Sequence, residues 1–188
     1  MGGLVHSILG ALFPPQAEPI AELIQGRSSV VRGTVVARDL IESPLTGDSC
    51  VYYNYSIEEW RESQVVGLPD GFWRLAEHDE AIAEFYLRDD SGQAIIAPQS
   101  VRVERARGVR EEFVDLGFQH RRGTQLVIRP GDVVEVSAVA DRVDDLYDDA
   151  RDYRARARTV LMRAPDGAQT VIRVLPAERV SESAATAL

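Results

Sequence analysis

From Ser28 to Leu175 the chain is cut into short runs of β-branched and aromatic residues by Gly, Pro, Asp and Ser, a cadence that fits an all-β barrel or sandwich. The runs cover residues 29–37, 50–57, 81–88, 93–97, 101–106, 125–128, 132–139, 158–163 and 170–175. Asp89-Asp90-Ser91-Gly92 and Ala164-Pro165-Asp166-Gly167 have the residue types of tight hairpin turns. Pro130-Gly131-Asp132 feeds a strand in which Val134, Val136 and Ala138 share a face. Gly33 interrupts the first run, as at a bulge or a barrel corner where a strand bends. A length of 188 residues suits one domain, and 45% hydrophobic residues can fill a core. The expected fold is mainly β: a small OB-like β-barrel with a short N-terminal helix and one inserted helical segment. Residues 1–27 read as an apolar N-terminal segment with a short helix, 28–177 as a single β-rich domain, and 178–188 as a flexible tail.

The two helical expectations rest on spacing and charge order. In 17–26, Pro19 suits a first helical turn, Ile20, Leu23 and Ile24 recur at helical spacing, and Gly26 suits a stop. Across 141–158, Asp144, Asp145, Asp148, Asp149 and Asp152 gather toward the start and Arg151, Arg154, Arg156 and Arg158 toward the end, the charge order that a helix macrodipole favours. The spacing of those carboxylates is not that of an EF-hand loop. Residues 61–71 read as a loop.

Composition removes several chemistries. All 21 basic residues are arginine, so a Walker-type phosphate loop, a kinase strand lysine and a Schiff-base amine cannot be built. Cys50 is the single cysteine, and with only His6, His78 and His120 beside it a closed zinc site lacks ligands. No metal and no cofactor is expected. Neither a nucleophile elbow nor a glycine-rich phosphate loop accompanies the histidines, so the chain is expected not to be an enzyme. The net charge of -9 lies in the first half, which holds 15 acidic residues against 6 arginines up to residue 94. That field repels phosphate backbones and disfavours nucleic acid as a partner.

Residues 2–13 (GGLVHSILGALF) are apolar but fall short of the ~20 residues that span a bilayer, and they lack the features of a signal peptide. Leu4, Val5, Ile8, Leu9, Leu12 and Phe13 are candidates for an anchor on a membrane surface or a partner. The competing reading makes the same residues a cover over the core, or a contact between copies of the chain in a homo-oligomer. The expected location is cytoplasmic or peripheral to a membrane.

Two strings carry a family likeness. Val31-Arg32-Gly33-Thr34-Val35, followed by Ser43-Pro44-Leu45-Thr46-Gly47-Asp48-Ser49-Cys50-Val51-Tyr52-Tyr53, resembles the opening motif of the GIDE domain, also called BAM. That domain occurs in membrane-anchored mitochondrial RING E3 ubiquitin ligases and in bacterial proteins. Phe85-Tyr86-Leu87-Arg88-Asp89-Asp90-Ser91-Gly92 is similar to the family's hairpin, and Gly131-Asp132-Val133-Val134-Glu135-Val136 to its later Gly-Asp strand. The likeness spans about residues 30–175 and departs from the ligases in having no RING cysteines and no flanking membrane helix. It implies a β-rich, non-catalytic domain that works near membranes and contacts other proteins, with no ligase activity carried over.

Candidate partner-binding residues follow from residue type. Trp60 and Trp73 flank the 61–71 loop, and Tyr53 and Tyr55 share a strand face while Tyr52 points the other way. Aromatics of this kind serve either recognition or a core. Ser43 and Pro44, with Thr46, Gly47 and Cys50, form either a pocket rim or a loop whose hydroxyls bond its own backbone. The function expected is a non-catalytic protein-recognition or scaffolding module. The alternatives are a ligand- or oligonucleotide-binding OB-like barrel and an uncharacterised hydrolase.

Overall fold

The computed structural model describes residues 16–62, 71–117, 120–144 and 158–176. In chain order the strands are β1 (Ser28–Ala37), β2 (Ile41–Glu42), β3 (Ser49–Cys50), β4 (Tyr52–Glu62), β5 (Gly71–Ile82), β6 (Phe85–Arg88) and β7 (Gln93–Ile96). They continue as β8 (Val101–Arg105), β9 (Glu112–Val114), β10 (Arg121–Ile128), β11 (Val133–Asp144), β12 (Arg158–Arg163) and β13 (Thr170–Val174).

Five of these strands close a barrel. β1 pairs antiparallel with β6, β6 with β7 through the Asp89–Gly92 turn, β7 parallel with β12, β12 antiparallel with β11, and β11 antiparallel with β1. β13 adds to β11, and β8 adds parallel to β13. The mainly β barrel expected from the sequence is therefore present. Inward positions alternate along each strand: Val31 and Val35, Phe85 and Leu87, Val134, Val136 and Ala138, and Ile172 and Val174 all enter one core. At Thr34, β1 leaves β11 for β6, since Thr34 faces both Val133 and Arg88. A Cβ at Gly33 would lie 2.6 Å from the Arg88 carbonyl oxygen, so this close crossing requires glycine.

A second sheet, in the order β5-β4-β10-β9, is antiparallel throughout. β4 and β5 belong to the connection between the first and second barrel strands, and β9 and β10 to the connection between the third and fourth. Tyr52 and Ile128 face each other across β4 and β10 and lie in the barrel core, which roots the sheet on the barrel.

The helical expectations need correction. In place of a helix over 17–26 there is a single 3-10 turn, Ile20–Glu22, flanked by extended Pro19 and Leu23. Tertiary bonds override the local spacing: the Ile20 amide donates to Asp89 at 2.8 Å and the Gly26 amide to the Ala140 carbonyl at 2.8 Å. Ile20 and Leu23 do enter the barrel core, whereas Ile24, the third member of the supposed stripe, is 56% exposed. Of the inserted segment 141–157, residues 141–144 continue β11 as strand, because the β11–β12 pairing runs to Asp144. The remainder, together with residues 1–15 and the tail from 177, lies outside the described residues. The loop expected over 61–71 gives way to strand at both ends, with Arg61 and Glu62 in β4 and Gly71 opening β5, and residues 63–70 lie outside the described residues. The run 81–88 is two strands, divided at Ala83-Glu84.

Candidate functional site

The second sheet has two faces with different chemistry. On one, Tyr53, Tyr55 and Ile57 of β4 alternate inward with Val127 of β10 and Cys50, and Ile41, Leu45 and Leu116 pack over them as a small second core. The tyrosine rings lie 6.0 Å apart between centroids. Tyr53 and Tyr55 thus share a face, as the alternation requires, and that face is a buried one. Their hydroxyls reach diagonally to β5: Tyr53 donates to Asp79 at 2.9 Å and Tyr55 to Glu77 at 2.5 Å. Tyr52, on the opposite face, donates to Glu80 at 2.9 Å. Each hydroxyl is held in its protonated form. The bond to Glu77 pushes Tyr55 up to about 12, the bond to Asp79 raises Tyr53, and burial followed by the bond to Glu80 raises Tyr52.

The Ser43–Asp48 loop closes over this second core. Ser43 is buried, and its hydroxyl donates to the Gln125 side-chain oxygen Oε1 at 2.7 Å. The Gln125 side-chain Nε2 donates to Thr46 at 3.1 Å and to Glu112 at 2.9 Å. Arg129 then ties Asp48, at 2.7 Å, to Glu112, at 2.8 Å. Bonds from Arg129 lead the causes that hold both carboxyls below their usual range, with Thr46 adding to Asp48 and Gln125 to Glu112. Gly47 has φ 72°, a left-handed conformation that the turn needs and glycine adopts without strain. Burial pushes the Cys50 thiol up, away from the reactive thiolate. Ser43 is therefore a staple between loop and sheet, while Pro44 beside it is exposed.

At the outer end of the sheet the opposite face brings together both sequence-predicted tryptophans. Trp60 and Trp73 are directly paired across β4 and β5, with ring centroids 5.5 Å apart and planes at 68°. The Arg122 guanidinium lies 4.3 Å over the Trp73 ring and donates to Glu58 at 2.6 Å. A Cβ at Gly71 would fall 2.5 Å from the Trp60 ring, so glycine there leaves space for the indole. Leu75, opposite Glu58, is 57% exposed, and Phe113, opposite Thr124, is 68% exposed on the same face. Leu75 and Phe113 escape sequence reasoning, as does the seat of Arg122 over Trp73, because the partner that places each one is a neighbouring strand. The pairing of Trp60 with Trp73 is the signal that could have found β5. The apolar residues Leu4, Val5, Ile8, Leu9, Leu12 and Phe13 lie outside the described residues.

Around the corner, on the Tyr55 side of the sheet, Arg61 and Arg121 both hold Glu59, at 2.8 and 2.9 Å, with Arg74 beside them and Phe72 exposed. Comparison with protein-family models, curated proteins and solved structures finds no match to this chain.

Proposed function

We propose that this protein is a non-catalytic recognition module that docks a protein partner on the outer end of the second sheet, with Trp60, Trp73 and Arg122 as anchors. The observation that carries the reading is the edge-to-face tryptophan pair with a guanidinium 4.3 Å above Trp73, on a face where Leu75 and Phe113 stand exposed. Tryptophan and arginine dominate the energetics of protein interfaces, because large rigid side chains bury much area for little lost freedom.

Position supports the same reading. The barrel strands follow the order first, second, third, fifth, fourth, with the third and fifth parallel, the arrangement of an OB-like barrel. Barrels of that type bind through the connection between their first two strands, where β4 and β5 lie here, an analogy that bears on place and not on ligand. The GIDE resemblance implies the same class of work, a β-rich domain contacting proteins near membranes. A cytoplasmic, membrane-adjacent location belongs to this proposal; no helix among the described residues is long and apolar enough to cross a membrane.

The test is cross-linking capture from source-cell extract, identification of the partner, and titration of the purified pair. Trp60→Ala and Trp73→Ala are each expected to weaken binding by about tenfold or more. A partner whose affinity ignores both substitutions would overturn the reading. The cluster of Arg61, Arg74 and Arg121 beside exposed Phe72 favours a second reading, an oligonucleotide-binding barrel. It requires binding of a labelled oligonucleotide that falls with salt and with Arg121→Ala, and that leaves the tryptophan surface free.

A further inference from the structure

We propose that the free edge of β5 is a dimer interface, on which a second copy of this chain lays its own β5 antiparallel about a two-fold axis. β5 is 12 residues long and is bonded to β4 on one side, while among the described residues no strand pairs with its other edge. Such an edge presents a row of unmet amides and carbonyls, which proteins that stay apart guard with proline, short length or unmatched charge. β5 contains no proline. Its charges are segregated, with Arg74 in the first half and Glu77, Asp79 and Glu80 in the second. An antiparallel copy reverses that order, so each half meets its opposite.

Length selects the register. Pairing Gly71 with Ile82 of the second copy, and so on inward, is the arrangement that engages all 12 residues of both strands. It sets Arg74 of each copy directly against Asp79 of the other. Directly opposed side chains must leave from the same face of a sheet. Residues 74 and 79 are an odd number apart and in an uninterrupted strand would leave from opposite faces. Here the pairing with β4 jumps from Ile57–Glu77 to Glu58–Leu75, and the extra residue, Ala76, cancels that offset. Arg74 is opposite Glu59 and Asp79 opposite Tyr55, two β4 residues on one face.

Arg74 is also the arginine of its cluster with no ion pair among the described residues, whereas Arg61 and Arg121 both hold Glu59. The same register lays exposed Phe72 beside Ala81 and exposed Leu75 beside His78 of the second copy. The two four-stranded sheets become one of eight, with a Trp60–Trp73 pair from each copy on the same face.

Sedimentation of the full chain over a range of concentrations tests this. A reversible dimer is expected, with Arg74→Asp and Asp79→Arg each weakening it by about tenfold or more, since each turns two attractive contacts repulsive. Mixing the two variants is expected to restore dimers, because every substituted side chain then faces one of opposite charge. Asp79 also accepts the Tyr53 hydroxyl, so a second measurement covers a folding failure of that variant: hydrogen exchange of the unaltered chain, dilute and concentrated. Amide protection confined to 71–82 that rises with concentration supports the interface. A monomer at every concentration, a dimer indifferent to Arg74→Asp, or protection rising elsewhere overturns it. Mass and exchange are read with no partner present, so this inference and the recognition reading can fail separately.

Discussion

In the barrel, Val31, Phe85, Leu87, Ile96 and Met162 are fully buried and their contacts are apolar. In the second sheet, tyrosine hydroxyls sit on carboxylates, Gln125 joins Ser43, Thr46 and Glu112, and Arg122 bridges Glu58 and Trp73. The two regions are both built of β-strands and differ in what holds them. Apolar burial depends on volume and is nearly blind to pH, whereas hydrogen-bonded carboxylates and phenols depend on protonation. A scaffold that must stay closed suits the first kind of cohesion, and a surface that presents side chains to another molecule suits the second.

The largest effect is expected where volume is removed from the barrel. Phe85→Ala should cost about 4 kcal/mol, through lost transfer energy and the cavity left among β1, β6 and β7. In hydrogen exchange, protection should fall in both regions together, because Tyr52 and Ile128 root the second sheet in that core. Gln125→Leu comes next, at about 2 kcal/mol, since it strands the buried Ser43 hydroxyl without its acceptor. Its signature is local: exchange should accelerate in 52–57 and 121–128 while 28–37 and 133–139 stay protected. Equal acceleration everywhere would mean that the two regions are one cooperative unit.

The third prediction uses pH. Tyr53 and Tyr55 are raised above the ordinary phenol value, so the stability they contribute is present in full below about pH 10. It is lost as pH rises through the folded values, about 12 for Tyr55. The tyrosinate absorbance of the folded chain should therefore show late-ionising phenols, and Tyr55→Phe should remove one of those late steps. Exchange in β4 and β5 should quicken across that window before exchange in the barrel does. Ionisation of Tyr55 at an ordinary phenol pH would remove the basis for calling the second sheet the protonation-dependent region.

What the sequence disclosed divides along the same line. Barrel strands are legible because inward alternation is written locally, as in Val134, Val136 and Ala138, and because Gly33 marks the corner by its residue type. β5 is illegible for the opposite reason: its run of Glu77, His78, Asp79 and Glu80 looks like a solvated loop until tyrosines from another strand are set across from it. The Ile20, Leu23 and Ile24 spacing suggests a helix, yet bonds to Asp89 and from Gly26 to Ala140 decide the backbone from a distance. At the candidate site, Trp60 and Trp73 are conspicuous by type. Arg122 and Leu75 become meaningful only once β10 and β5 are laid beside β4.

The smallest effect tests whether the barrel sheet, with β13 added to it, is as apolar in its cohesion as it looks. Thr170, at the start of β13, is fully buried, and its hydroxyl is the one buried side-chain polar atom among the described residues that has no hydrogen-bond partner. A hydroxyl in that position has given up water and gained nothing in exchange. Thr170→Val keeps the branched shape and removes the unmet group, so it should stabilise the chain by about 1 kcal/mol, read as a raised denaturant midpoint with an unchanged slope. The same exchange at Thr124, whose hydroxyl bonds that of Ser56 at 2.9 Å across β4 and β10, should lower stability. Opposite signs for one chemical change would place the boundary between the two kinds of cohesion inside a single chain. A loss at Thr170 would mean that its hydroxyl serves the barrel, and the division between the two regions would have to be redrawn.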